Sequence, residues 1–168
     1  MLTIRDATRS DVPTILAMIR ELALYERAPD AAVATPQLID QHLFGDGLGK
    51  GPTAEGLIAE IDASPVGFAV FFHNFSTWLG RPGMYLEDLF VRPHARGAGV
   101  GKALLARVAR IAESRGCRRL EWAVLDWNTP AIGFYERLGA APMSEWTTFR
   151  LTPPALGDLA RLDRAADA

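Results

Sequence analysis

"RPHARGAGVGKALL", residues 92–105, places three glycines and two arginines in its first ten positions. It follows the apolar run "MYLEDLFV" (84–91) and opens a stretch of helical periodicity. A strand running through glycines into a helix offers backbone N–H groups without Cβ atoms in the way, at the positive end of a helix dipole. Such a junction suits an anion, and a pyrophosphate fits it without a metal. Two familiar versions of the motif fail. A nucleotide-triphosphate loop needs Gly where Arg96 stands and Ser or Thr where Ala103 stands, so its magnesium-binding hydroxyl is missing. A dinucleotide fingerprint needs a third glycine at Lys102 or at Leu104.

Toward the C-terminus, Leu104, Leu105, Val108, Ile111 and Ala112 recur at helical spacing, predicting a helix over 100–115 that Gly116 ends. "RRLEWAVL" (118–125) reads as the next strand. "NTPAIGFYERLG" (128–139) reads as a short helix with Asn128 or Thr129 as cap, Pro130 early and Gly139 as stop. "PMSEW" and "TTFRL" read as one or two closing strands, and 153–168 as a tail or short helix. Toward the N-terminus, "GLIAEI" and "PVGFAVFF" flank the turn "DASP" as an antiparallel hairpin. "LTIRDA" reads as a first strand. Helices are predicted over about 11–24, capped by Ser10 or Asp11 with Pro13 in the first turn, and over 35–44. Helices interspersed with strands, and a hairpin run in the middle, give an α/β (α+β) domain over 1–152 built on a mixed sheet rather than a doubly wound parallel one.

The 168 residues suffice for one core, and 49% hydrophobic with 23% charged residues is an ordinary globular composition. A net charge of -2 gives no general attraction to nucleic acid or to anionic membrane. Charge interrupts "LTIRDATRSD" before a signal-peptide core can form, so the chain reads as cytoplasmic. Cys117 stands alone, and His42, His73 and His94 lack ligand spacing, so no metal is expected.

"RGAGVGKALL" matches the Arg/Gln-x-x-Gly-x-Gly/Ala signature of the GCN5-related N-acetyltransferases. With "YLEDLFV" and "WNTPAIGFYERLGA" at matching spacings, and with "ELALYER" and the Trp of "STWLG", the chain resembles the spermidine/spermine (diamine) branch of that superfamily. The resemblance implies a mostly antiparallel sheet with splayed central strands and flanking helices. It implies acetyl-CoA as co-substrate, its pyrophosphate held by Arg96, Gly97, Ala98, Gly99, Val100, Gly101 and Lys102. The pantetheine would pair with the backbone of Leu89, Phe90 and Val91 as an added strand, and Asn128, Pro130 and Ala131 would contact the cofactor.

Acyl transfer to an amine requires a neutral nucleophile, yet an amine of pKa near 10.4 is charged at neutral pH. The resemblance makes Glu87 the base or amine anchor, with Asp88 second, and puts Tyr135 in the position of the general acid that protonates the departing thiolate. Strict alternation would send Glu87 and Asp88 to opposite faces unless a bulge intervenes. Tyr25, Glu26, Trp78, Glu87 and Asp88 resemble an acidic and aromatic site for a diamine or polyamine. Ser76 stands where the family carries an acid, which favours a shorter, lysine-like acceptor. Direct attack in a ternary complex needs no acyl-enzyme, and Cys117 lies outside the matching motifs. The resemblance also implies a homodimer. A peptide acetyltransferase and a non-catalytic acyl-CoA sensor are the competing readings.

Overall fold

Asp62 and Ala63 both adopt left-handed backbone, with φ of 50° and 64°. Two such residues form the hairpin turn whose twist matches its strands, here joining β2 (Glu55–Ile61) to β3 (Ser64–Ser76) in a computed structural model that describes residues 1–163. With β1 (Leu2–Asp6), β4 (Arg81–Val91) and β5 (Leu120–Glu121) they form one sheet in the order β1-β2-β3-β4-β5. Every neighbouring pair is antiparallel except β4 and β5, which run parallel. The sheet is therefore mixed and mostly antiparallel.

Residues of opposite parity on the strands cover opposite faces. On one face Ile58, Phe68, Val70 and Phe90 form a core cluster with Ile15 and Met18 of α1 (Val12–Tyr25) and Leu43 of α2 (Pro36–Phe44). On the other lies α3 (Val100–Ser114), which buries Val100, Leu104, Leu105, Val108 and Ala112. Gly67 lets it close down, since a Cβ there would sit 3.4 Å from Leu104 Cδ1 and 2.7 Å from the Phe90 carbonyl oxygen. Burying each large side chain contributes about 1.5 to 3 kcal/mol, and α3 therefore owes its place to packing rather than to helix propensity.

Local chemistry sets the helix ends. Thr35 Oγ1 accepts the Leu38 N–H at 3.3 Å and caps α2. Gly116, at φ 72°, ends α3, with Gly116 N–H donating to Glu113 O at 3.0 Å and Cys117 N–H to Ala112 O at 2.9 Å, the two bonds of a Schellman close.

The chain divides into two compact units, Met1–Leu125 and from Asp126 onward. The second carries α4 (Thr129–Glu136) and α5 (Ala155–Ala160). Helix α5 falls in the stretch read as a tail, of which 164–168 lie outside the described residues.

Two expectations are corrected. The strand over 118–125 shrinks to Leu120 and Glu121, and "PMSEW" and "TTFRL" form no strand. A strand exists only as half of a pair, and period-2 patterning supplies no partner. Trp146 and Phe149 are accordingly exposed, Phe149 at 91%.

Candidate active site

The two halves of β4 differ on the edge away from β3. Over the first half Met84 N–H donates to Arg119 O at 3.0 Å, Arg118 N–H donates to Pro82 O at 3.2 Å, and the ladder pairs Met84 with Leu120 and Tyr85 with Glu121. There the pairing with β5 stops, while β3 continues beside β4 as far as Val91. The Asn74 amide donates to Glu121 Oε2 at 3.0 Å, tying β5 to the sheet at its last residue. Gly83 makes room for Asn74, since a Cβ there would fall 2.2 Å from its Oδ1.

Parity identifies which groups face the open edge. Arg92 N–H donates to Val66 O at 2.9 Å, so Arg92, and with it Phe90, point their main-chain groups at β3. Leu89 and Val91 point theirs outward, and the Val91 carbonyl accepts from Arg96 Nε at 2.9 Å. The sequence reading grouped Phe90 with these two. Its backbone instead belongs to the β3 ladder, and its ring is buried, 6.4 Å from Phe68 between centroids.

Beyond β4, Gly97 and Gly99 take φ of 81° and 80°, and Gly99 caps α3. A Cβ at either position would meet nothing within 4 Å, so the left-handed backbone, not crowding within the chain, demands glycine there. The loop Arg96 to Gly99 leads into Val100, Gly101 and Lys102, the first turn of α3, whose N–H groups have no intrahelical partner. Ala98 is exposed in the loop and Val100 anchors it in the core.

The carboxylates lie on the same strand, at a bulge. The β3–β4 register shifts between Val70, opposite Asp88, and Phe71, opposite Leu86, leaving Glu87 as the extra residue. Strict alternation is thus broken between Glu87 and Asp88. Burial pushes the Asp88 carboxyl up to about 6, and the charges of Glu87 and Glu26 push the same way. Burial also raises Glu26, the residue that ends α1. Tyr25 is beside it, its ring 4.7 Å below the Arg96 guanidinium. Arg92 holds this end of α1 by gripping Glu21 at 2.8 to 3.2 Å.

Tyr25, Glu26, Glu87 and Asp88 thus belong to one neighbourhood. Trp78 does not join it, because it sits at the β3–β4 hairpin tip, at the other end of β4, 88% exposed. Ser76 is buried at that tip, its hydroxyl accepting the Leu79 N–H at 3.3 Å. In the second unit Asn128 caps α4, its side chain accepting the Ala131 N–H at 3.4 Å, with Pro130 and Ala131 in the first turn. Tyr135 is half-buried on α4 against Phe134, ring centroids 5.2 Å apart. Sequence reasoning missed Asn74, Gly83 and the stacking of Arg96. Nothing in local composition signals them, since each depends on a residue distant in the chain. Among the described residues no group of three or more His, Cys, Asp or Glu could hold a metal, and no helix is long and apolar enough to cross a membrane.

A sheet opened beside a strand that feeds an anion-shaped loop is the architecture of an acetyltransferase. The chain belongs to the acetyltransferase (GNAT) family, whose model matches residues 17–140. It is 39% identical to thialysine N-epsilon-acetyltransferase of Sus scrofa, over 94% of this chain and 96% of the relative. It is 32% identical to L-ornithine N5-acetyltransferase of Arabidopsis thaliana, over 95% of this chain and 88% of that one. An integron cassette protein from the mobile metagenome of V. cholerae has the same fold, with a TM-score of 0.78 at 28% identity over 95% of this chain and 98% of its own.

Proposed function

We propose that the chain moves the acetyl group of acetyl-CoA onto the primary amine of a small lysine-like or diamine acceptor, by direct attack in a ternary complex. The observation that carries this reading is the opening of the sheet beside the second half of β4, where the bulge at Glu87 sets the buried carboxyl of Asp88, raised to about 6, on the strand that feeds the glycine loop. At pH 7.5 that carboxyl is mostly ionised, yet basic enough to take a proton from an ammonium held against it. Three neighbouring carboxylates favour an acceptor with more than one positive charge. Trp78 lies away from this cluster along β4, which favours a short acceptor over a long polyamine. The named substrates of the thialysine and ornithine relatives are amino acids ending in an amine.

In this reading the outward groups of Leu89 and Val91 align the extended arm of the co-substrate, and the loop from Arg96 to Lys102 takes its diphosphate. The amine loses a proton to Asp88, with Glu87 and Glu26 anchoring it. Its nitrogen then bonds to the thioester carbon, the C–S bond breaks and Tyr135 gives the thiolate its proton, while the second proton shed by the nitrogen passes through solvent to restore the tyrosine. Holding the reactants together supplies the larger share of the acceleration, up to about 7 to 11 kcal/mol in favourable cases. A homodimer is part of the proposal, checked by sedimentation.

A thiol-release assay across lysine, ornithine, thialysine, diamines, spermidine and lysine-bearing peptides tests it. The highest kcat/KM is expected for the short amino acids and diamines. Peptides outrunning them would overturn the acceptor class, and binding of acetyl-CoA without thiol release for any amine would make the protein a sensor.

A further inference from the structure

We infer that Arg96 is an internal cation that covers the face of Tyr25 until the co-substrate draws it away, and so couples the two substrate sites; this rests on the reading of the site just proposed. The backbone of Arg96 is fixed at the start of the glycine loop, its N–H donating to Pro93 O at 3.2 Å. Its side chain folds back from the loop. Nε donates to the Val91 carbonyl at 2.9 Å, while the guanidinium carbon lies 4.7 Å from the Tyr25 ring centroid and 5.8 Å from that of Phe90. One guanidinium therefore touches both the open strand edge and the last residue of α1.

Both contacts are ones a substrate would claim. Val91 O is an outward acceptor, so the amide N–H of an extended chain laid along the edge competes with Nε for it. The Tyr25 face, next to Glu26, is where a substrate ammonium gains cation–π attraction, and a guanidinium already there excludes it. A diphosphate in the adjoining loop offers Arg96 a stronger, charge-assisted partner than an aromatic face. Moving to it frees Val91 O and Tyr25 together. With Glu21 held by Arg92 one turn earlier, the change is confined to the last turn of α1, Tyr25 and Glu26. Linkage makes the effect reciprocal: each ligand strengthens the other.

Titration calorimetry on the full chain, using coenzyme A with 1,4-diaminobutane or lysine, reads the coupling without turnover. In the unsubstituted protein, saturating coenzyme A is expected to lower the amine Kd by about fivefold or more, within the usual range of such couplings. In Arg96→Gln the amine should bind tighter than to the unsubstituted protein when coenzyme A is absent, and coenzyme A should change that affinity by less than about twofold. In Tyr25→Leu the amine should bind more weakly and again show no coupling, so the inference does not hang on one variant's folding. If Arg96 serves only the diphosphate, Arg96→Gln weakens coenzyme A and leaves unaided amine binding unchanged, which overturns the inference. Binding of both ligands to the unsubstituted protein without coupling overturns it alone. No uptake of coenzyme A by that protein overturns the proposed function as well.

Discussion

Two aspartates in the first unit stand in opposite electrostatic surroundings. At the junction of β1 and α1, Asp11 takes Arg5 in a fork, at 2.7 Å to Oδ2 and 2.8 Å to Oδ1, and accepts the Thr8 N–H at 2.7 Å and the Thr8 hydroxyl at 2.8 Å. Arg5, foremost, holds its carboxyl down at about 2, against the cost of burial. At the β4 bulge, burial and two like charges push Asp88 up to about 6. Asp11 is arranged so that its charge helps the chain fold. Asp88 is placed where its charge is costly, which suits the proposed role of accepting a proton near neutrality. The difference marks Asp11 as a residue that steadies the fold and fits Asp88 to the chemistry proposed for it.

The largest effect expected from breaking this contrast is on turnover. Asp88→Asn should lower kcat/KM for the best amine about 10³-fold at pH 7.5, within the range for loss of a general base, and initial rates of thiol release measure it. Asp11→Asn should do the reverse, costing about 2 kcal/mol in urea unfolding by leaving Arg5 and the Thr8 donors poorly paired, while kcat stays within about twofold. Because its folded pKa lies below the unfolded value, Asp11 contributes stability above about pH 4 that is lost as pH falls toward 2.

Asp88 has the opposite sign. Its folded pKa of about 6 exceeds the unfolded value, so the fold is favoured at low pH and loses that advantage as pH rises through 6. Asp88→Asn should therefore stabilise the protein by about 2 kcal/mol at pH 7.5, with the gap closing near pH 4, in paired melting curves. The smallest effect concerns Glu26, whose charge is one of those raising Asp88. Glu26→Gln should move the acid limb of the kcat/KM profile to lower pH by less than about one unit. An unmoved limb would remove Glu26 from the proton chemistry and leave it as an anchor.

How much of this was legible beforehand varied with the range of the interaction. Gly116 announced the end of α3, the glycines of 97–101 a loop open to a ligand and "DASP" its turn, because each depends on a few adjacent residues. The resemblance singled out Glu87 and Asp88, but their arrangement on the strand was not legible. Regular alternation left Glu87 and Asp88 on opposite faces, and the bulge that breaks it is set by how β4 lies against Val70 and Phe71. Trp78 was grouped with the acidic residues by pattern, and the length of the hairpin carries it away from them.

The sequence by itself determined the family, the order of the elements as far as α4, the glycine loop and the residue types available for the chemistry, since periodicity and backbone preference are written into neighbouring positions. Only the tertiary structure decided that β5 stops at Glu121, that Val91 rather than Phe90 faces the open edge, and that Arg96 rests on Tyr25. Those outcomes are settled by strand pairing and by contacts between segments far apart in the chain, where the free energy belongs to the pair and neither segment carries its mark alone.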